Sequence, residues 1–183
     1  MRYNDRRNLK LRGIRLIVPI LKAGELDLIS HSAEQTHRLG QRLGALLRPG
    51  DVICLSGELA AGKTVFSSGI GDGWGAAEPV VSPTYTLVHQ HRREADDAML
   101  YHLDCYRLIG PDDADSIEFD DLIDSSAVLV IEWPERIEAR LPRERLWIHL
   151  RTVDATHRAL SFVPNGMRYF GLVEQFRTRV LGD

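Results

Sequence analysis

Hydrophobic and polar residues alternate along the chain in blocks that predict helices and strands in turn. Within residues 32–47, leucines recur at positions 39, 43, 46 and 47, a spacing that places them on one face of a helix. Ser32 followed by Gln35 predicts a capping box at the start of this helix. Pro49-Gly50 ends it, and the apolar, β-branched run at 51–56 predicts a buried strand.

The rest of the chain continues this alternation. A helix is expected from Lys63 to about Gly71, and two strands at 83–92 and 99–108 flank the polar turn READDA. The pattern then predicts an acidic helix at 113–123, a buried strand at 127–133, a short helix at 135–141, a hairpin of 145–153 with 158–163, and a C-terminal helix at 168–181. These elements predict an α/β sandwich with a mixed, mostly parallel central sheet and antiparallel edge strands.

Composition and charge place this fold in an ordinary soluble protein. The 183 residues fit one domain, no apolar run reaches the length of a membrane span, and Cys54 and Cys105 form no CxxC pair, so we expect a cytoplasmic protein. Of 23 basic and 26 acidic residues, seven basic and one acidic lie within 1–22, which leaves a net charge of −9 on the remainder. We therefore expect a basic, flexible extension at 1–22 and a single domain at 23–183, whose acidic surface disfavours broad nucleic-acid binding.

The loop between the first buried strand and the next helix carries the strongest chemical signal. Residues 57–64, GELAAGKT, match G-x-x-x-x-G-K-[ST] in full. Gly57 and Gly62 let backbone N–H groups turn inward and, with the helix N-terminus, form an anion cradle. Lys63 supplies a positive charge to the β- and γ-phosphates of a nucleotide, and the Thr64 hydroxyl is a ligand suited to Mg²⁺.

Two carboxylates are candidates to complete such a site. Glu132 ends the second buried strand, at the sheet edge where open α/β sheets bind ligands. Asp104 lies on a strand whose alternation puts His102, Asp104 and Tyr106 on one face, and it is a candidate for holding a metal-bound or attacking water. For each, the alternative is a structural ion pair with an arginine.

Other functions fit these residues less well. Asparagine occurs only at positions 4, 8 and 165, so the guanine-reading motif N-K-x-D of GTPases is absent. A small-molecule kinase stays open, because an arginine-rich lid is available from Arg136, Arg140, Arg143 and Arg145. A zinc site at His89, His91 and His102 is a weaker hypothesis, since histidines on strands are more often surface residues.

Four segments together resemble one known family. GELAAGKT, SPTYTLV at 82–88, LYHLDCYRL at 100–108 and VIEWPER at 130–136 occur in the order and spacing of the TsaE (YjeE) family. These are bacterial P-loop ATPases needed for the threonylcarbamoyladenosine modification of tRNA beside the anticodon. The resemblance covers about 28–150 and implies a three-layer, P-loop NTPase-like sandwich.

The resemblance also implies roles for individual residues. The nucleotide would contact the loop and its surroundings, namely Gly57, Glu58, Leu59, Ala60, Ala61, Gly62, Lys63, Thr64, Val65, Thr84 and Trp133. Thr84 would belong to a switch-like loop that senses the γ-phosphate. Lys63, Asp104 and Glu132 would serve catalysis, and Thr64, Glu132 and Asp104 would serve Mg²⁺.

Partners follow from the same resemblance. Family members work with TsaB and with TsaD, which transfers the threonylcarbamoyl group, and their ATP hydrolysis resets the complex between turnovers. Activity alone would be weak and partner-stimulated, and contact with tRNA would be indirect. One departure stands in the loop: family members usually have glycine where this chain has Ala60, and a positive φ there would cost alanine about 1 kcal/mol.

Overall fold

The computed structural model describes residues 10–11, 14–15, 24–83 and 86–182. Its strands are β1 Lys10–Leu11, β2 Ile14–Arg15, β3 Leu26–Ser30, β4 Val52–Ser56, β5 Val88–Arg92, β6 Met99–Asp104, β7 Val128–Glu132, β8 Arg145–Thr152 and β9 Arg158–Asn165. Its α-helices are α1 Ala33–Gly44, α2 Lys63–Trp74, α3 Phe119–Asp124 and α4 Met167–Leu181. Two 3-10 helices lie at Pro111–Ile117 and Pro134–Arg140.

Seven of these strands form one mixed sheet in the order β3-β9-β8-β4-β7-β6-β5. The central pairs β8-β4, β4-β7 and β7-β6 are parallel, whereas β3-β9, β9-β8 and β6-β5 are antiparallel. Five of the seven strands therefore run in one direction, with β9 and β5 opposed. This confirms the predicted mixed, mostly parallel sheet.

Apolar side chains pack on both faces of the sheet. One cluster joins α1, α2 and α4 to one face through residues such as Leu43, Phe66 and Phe176. A second cluster joins the 3-10 helices and α3 to the other face through residues such as Phe119 and Ile137. The result is the predicted three-layer sandwich, in which β4, fully buried, leads directly to the phosphate-loop motif.

Helices α1 and α2 approach each other through glycines. A Cβ atom on Gly69 would overlap the carbonyl oxygen of His37, and one on Gly44 would overlap that of Ile70. Gly40 and Gly73 would meet backbone atoms of the facing helix in the same way. The two helices therefore pack backbone against backbone, which fixes the helix that begins at Lys63.

Most local predictions are confirmed, although the strands predicted at 83–92 and 99–108 are shorter, at Val88–Arg92 and Met99–Asp104, and the short helix predicted at 135–141 is a 3-10 helix at Pro134–Arg140. Three further differences concern α1, the acidic helix and the sheet edge. Ser32 caps α1 through a bond from Gln35 N–H, but the Gln35 side chain accepts from His31 N–H rather than closing the box on Ser32. The acidic helix is interrupted at Glu118, where φ is +51°. The edge strand β3 was not predicted.

The ends of the chain add two observations. Residues 1–22 are described only at β1 and β2, which pair antiparallel, so the flexible extension stays a prediction. Within the described ranges no helix is long and apolar enough to cross a membrane.

Candidate nucleotide site

The phosphate-loop motif lies where β4 ends and α2 begins. Its backbone takes positive φ at Gly57 (143°), Ala60 (63°) and Gly62 (99°). At Gly57 a Cβ would also overlap the carbonyl oxygen of Leu150, so glycine is required there by space as well. Ala60 therefore meets the condition under which alanine is strained in this loop.

Lys63 folds its side chain back over the loop. Its Nζ donates to the carbonyl oxygens of Gly57 (2.7 Å) and Glu58 (2.9 Å) and lies 3.8 Å from the centre of the Trp133 ring. Burial lowers the pKa of Lys63, and the negative charge of Glu132 opposes that shift. The ammonium is thus held in a pocket of acceptors and aromatic surface at the start of α2.

Thr64 and Glu132 are joined directly. The β4–β7 register sets Leu55 opposite Glu132, so the end of β7 lies beside the loop. Thr64 Oγ1 donates to Glu132 Oε2 at 3.1 Å, and the Ser67 hydroxyl lies 3.0 Å from Oε1. The sequence indicated Thr64 and Glu132 separately, and the structure brings them into contact. Ser67 was missed, and its place one helical turn after Lys63 was the available signal.

Glu132 also contacts His102, a residue that the sequence pattern placed on the surface. His102 Nε2 lies 2.9 Å from Glu132 Oε1, and both side chains are almost completely buried. The expectation of surface histidines is wrong for His102 and for His91, which are both buried. In the described part of the chain no three His, Cys, Asp or Glu side chains cluster to hold a metal, so the zinc hypothesis has no structural support.

Asp104 lies next to Glu132 on the neighbouring strand. The β6–β7 register pairs the two residues. Asp104 Oδ1 accepts from the N–H of Tyr106 at 3.0 Å, and Oδ2 accepts from the Ser82 hydroxyl at 3.3 Å. The two carboxylates that the sequence singled out therefore lie side by side at the ends of neighbouring parallel strands.

A cleft of about 320 Å³ contains most of the candidate residues, a volume suited to a small ligand. Its lining includes Leu59, Ala60, Ala61, Gly62, Lys63, Thr64, Val65, Asp104, Glu132 and Trp133, together with Ser82 and Tyr106. The rings of Tyr106 and Trp133, with centres 5.0 Å apart, form one wall.

Two candidate residues of the loop lie outside this cleft, and a third is not described. Gly57 and Glu58 line an adjoining cleft on the β8 side of the loop. Thr84 lies outside the described residues.

The chemistry of the cleft suits a phosphorylated ligand with a hard cation. Backbone N–H groups at the start of α2 and the Lys63 ammonium favour phosphate oxygens. A threonine hydroxyl in contact with a carboxylate, with a second carboxylate on the next strand, supplies the oxygen ligands that Mg²⁺ prefers.

Comparisons with known proteins agree with this geometry. The family model described as "Threonylcarbamoyl adenosine biosynthesis protein TsaE" matches residues 30–160. The Bacillus subtilis protein named tRNA threonylcarbamoyladenosine biosynthesis protein TsaE is 35% identical over 144 residues, 78% of this chain and 87% of its own length. The Mycobacterium leprae protein of the same name is 43% identical over 133 residues, 69% of this chain and 82% of its own.

A solved structure extends the agreement to the fold. The crystal structure of Bacillus subtilis YdiB superposes with a TM-score of 0.70 at 30% identity and covers 85% of this chain and 95% of that protein. The family model spans the phosphate loop, Asp104 and Glu132, and the relatives are covered over most of their length. The chain therefore belongs to the TsaE family of P-loop nucleotide-binding proteins.

Proposed function

We propose that this protein binds and hydrolyses ATP as a subunit of the machinery that forms threonylcarbamoyladenosine in tRNA. The observation that carries the proposal is the bond between the Thr64 hydroxyl and the Glu132 carboxylate, 3.1 Å long, beside a complete phosphate loop. Membership of the TsaE family supports the biological setting. The catalytic, nucleotide-binding and metal-binding residues named from the sequence are part of this proposal.

Phosphate binding is the task of the loop and of Lys63. The N–H groups of residues 57–64 and the N-terminus of α2 surround the phosphates, and positive φ at Gly57 and Gly62 directs them inward. Lys63 exchanges the carbonyl oxygens of Gly57 and Glu58 for phosphate oxygens. Trp133 stays beside the ammonium and shields it from water.

The residues also fit a bound Mg²⁺. Thr64 and Glu132 would hold the ion, with Asp104 beside them on the next strand. When bound, Mg²⁺ supplies positive charge that offsets the charge developing on the phosphates during transfer. Ser67 Oγ lies 3.0 Å and His102 Nε2 2.9 Å from Oε1 of the same carboxylate.

Asp104 is proposed to orient the water that attacks the terminal phosphate. Its carboxylate is fixed by the N–H of Tyr106 and by Ser82, and it lines the same cleft as Lys63 and Thr64. An anchored carboxylate accepts a hydrogen bond from water and sets its direction. Thr84, two residues after Ser82 in the chain, is proposed to sense the γ-phosphate.

The wider role belongs to the same proposal. The protein acts with TsaB and TsaD in the cytoplasm, and ATP hydrolysis resets that complex, whereas TsaD performs the transfer to adenosine. Hydrolysis alone is slow and partners stimulate it. Residues 23–183 form the ATPase domain, and 1–22 are an extension of it. Because that domain carries a net charge of −9, tRNA is reached through the partners rather than directly.

The test is Mg²⁺-dependent ATP turnover by the purified protein, alone and with its cognate TsaB and TsaD. Turnover stimulated by the partners and lost in Lys63→Ala supports the proposal. Turnover that ignores the partners, or ATP binding without any turnover, contradicts it. A screen of hydroxyl acceptors would then test the kinase alternative. One of its four proposed lid arginines, Arg140, is already bonded to Asp115 and Asp120.

A further inference from the structure

His102 is a fully buried histidine whose two ring nitrogens both lie against oxygens. Nε2 is 2.9 Å from Oε1 of Glu132, and Nδ1 is 3.2 Å from the carbonyl oxygen of Val81. An imidazole buried to this degree is costly unless its nitrogens are hydrogen bonded, so both contacts hold the ring. The ring forms a bridge from a carboxylate at the candidate site to the main chain of another segment.

The bridge does not depend on one charge state. A backbone carbonyl only accepts, so Nδ1 carries the hydrogen of the bond to Val81. Nε2 and Glu132 Oε1 share one further hydrogen, whichever of the two atoms carries it. In both cases the Val81 carbonyl fixes the ring and the ring fixes the carboxylate.

The segment at the other end of the bridge is also tied to the second carboxylate. Ser82, next to Val81, donates its hydroxyl to Asp104 Oδ2 at 3.3 Å. Asp104 and Glu132 are partners in the β6–β7 register. Two consecutive residues between α2 and β5 are therefore bonded, one through His102 and one directly, to two neighbouring carboxylates.

We propose that His102 is a positioning residue that aims the Glu132 carboxylate and links it to the main chain at Val81. The orientation of the Glu132 carboxylate toward Mg²⁺ rests on the proposed function, whereas the hydrogen-bonded link from Glu132 to Val81 does not depend on that function. The other two side chains bonded to Glu132, those of Thr64 and Ser67, carry hydroxyls that rotate about a single bond, and the one hydrogen of the Ser67 hydroxyl is also within reach of the carbonyl oxygen of Lys63, at 3.1 Å. The imidazole is held at both nitrogens and leaves the carboxylate less freedom.

Two amide variants separate the two bonds. In His102→Gln the side-chain amide reaches about as far as Nε2 and keeps a donor for Glu132, but it loses the bond to Val81. In His102→Asn the shorter amide reaches about as far as Nδ1 and keeps the bond to Val81, but it loses Glu132. His102→Phe keeps a ring and loses both.

The link is measured by hydrogen exchange of residues 76–82 in the nucleotide-free protein. We expect faster exchange in His102→Gln and His102→Phe, and exchange like that of the wild type in His102→Asn. The effect of the carboxylate orientation on Mg²⁺ affinity is measured by titrating Mg²⁺ into the protein in the presence of a fluorescent ATP analogue. We expect the half-saturating Mg²⁺ concentration to rise about tenfold in His102→Asn and His102→Phe and to change little in His102→Gln.

His91→Leu is the matched control, because His91 is a buried histidine on the adjacent strand β5. It should leave both readouts unchanged, and a melting curve for each variant establishes that it folds. If His102→Gln and His102→Asn give the same exchange and the same Mg²⁺ titration, or if all three variants match the wild type, the positioning role is overturned. If the wild-type protein binds no Mg²⁺–ATP, the proposed function fails, and the exchange measurement still decides whether the link exists.

Discussion

The Lys63 ammonium lies 3.8 Å from the centre of the Trp133 ring while it donates to two carbonyl oxygens of its own loop. A phosphate that draws Lys63 away from those carbonyls changes the electric field on the indole. The protein has three tryptophans, and Trp74 lies on α2 with its ring against Arg93. Trp133 is therefore expected to report on nucleotide binding and Trp74 to serve as a reference.

We predict that ATP changes the intrinsic fluorescence of the protein and that Trp133→Phe removes most of this change. Trp74→Phe should retain it. Fluorescence titration of the three proteins with ATP measures this change. An unaltered signal in Trp133→Phe would contradict the proposed position of the phosphates.

Glu132→Gln is predicted to separate binding from hydrolysis. Glutamine keeps an oxygen and a similar shape beside Thr64 and Ser67, so ATP binding should survive. The loss of negative charge at the metal should lower turnover on the order of 100-fold. Turnover and binding are measured with the partners present. Wild-type turnover in this variant would remove Glu132 from the proposed catalytic set.

Ala60→Gly is predicted to stabilise the protein by about 0.5–1 kcal/mol. Ala60 has φ of +63°, and relief of its strain outweighs the added freedom of glycine in the unfolded chain. Ala61→Gly is the control, because Ala61 is buried without a positive φ and should lose stability. Urea unfolding of both variants gives the comparison. Destabilisation by both would mean that the strain is negligible.

Gly69→Ala is predicted to destabilise the fold by about 1–3 kcal/mol, because its Cβ would collide with the main chain of α1. Gly171→Ala, within α4 and facing open space, should instead stabilise by about 0.5–1 kcal/mol. The urea midpoints of unfolding measure the change in stability for each Gly→Ala substitution, and we expect the two changes to have opposite signs. Equal effects would show that α1 and α2 separate easily.

Stability is predicted to fall in mild acid because of His91. Burial lowers the pKa of His91, and the nearby His102 and His89 act in the same direction while Glu78 opposes them. The unfolded chain therefore takes up a proton below about pH 6.5 that the folded protein resists, so the free energy of unfolding decreases as pH falls. His91→Leu should flatten this dependence between pH 7.5 and 5.5. If the free energy of unfolding of His91→Leu depends on pH as steeply as that of the wild type, the pH dependence comes from other groups.

Local sequence patterns were sufficient for the parts of the site that are local. The phosphate loop, the buried strands β4 and β7 and the strand-end position of Glu132 each follow from contiguous residues. The partners of Glu132 do not. Ser67 and His102 are 65 and 30 residues away in the chain, and only the sheet register and the docking of α2 bring them to the carboxylate.

Two other features escaped prediction for similar reasons. The edge strand β3 is five residues long and is defined by its pairing with β9, more than 120 residues later. The glycines of α1 and α2 lower the helix propensity of each segment. They stabilise the fold through the contact between the two helices, which the pattern of one segment alone does not reveal.

The glycine contact between α1 and α2 also limits how the protein moves. Helices that meet through side chains slide past each other when rotamers change, whereas backbone atoms in contact have no such adjustment. We therefore expect a displacement of the phosphate loop to move α1 and α2 together. We expect the rearrangement that accompanies a change of ligand in the segment after α2, where Val81 and Ser82 are bonded to the side chains of His102 and Asp104 on β6.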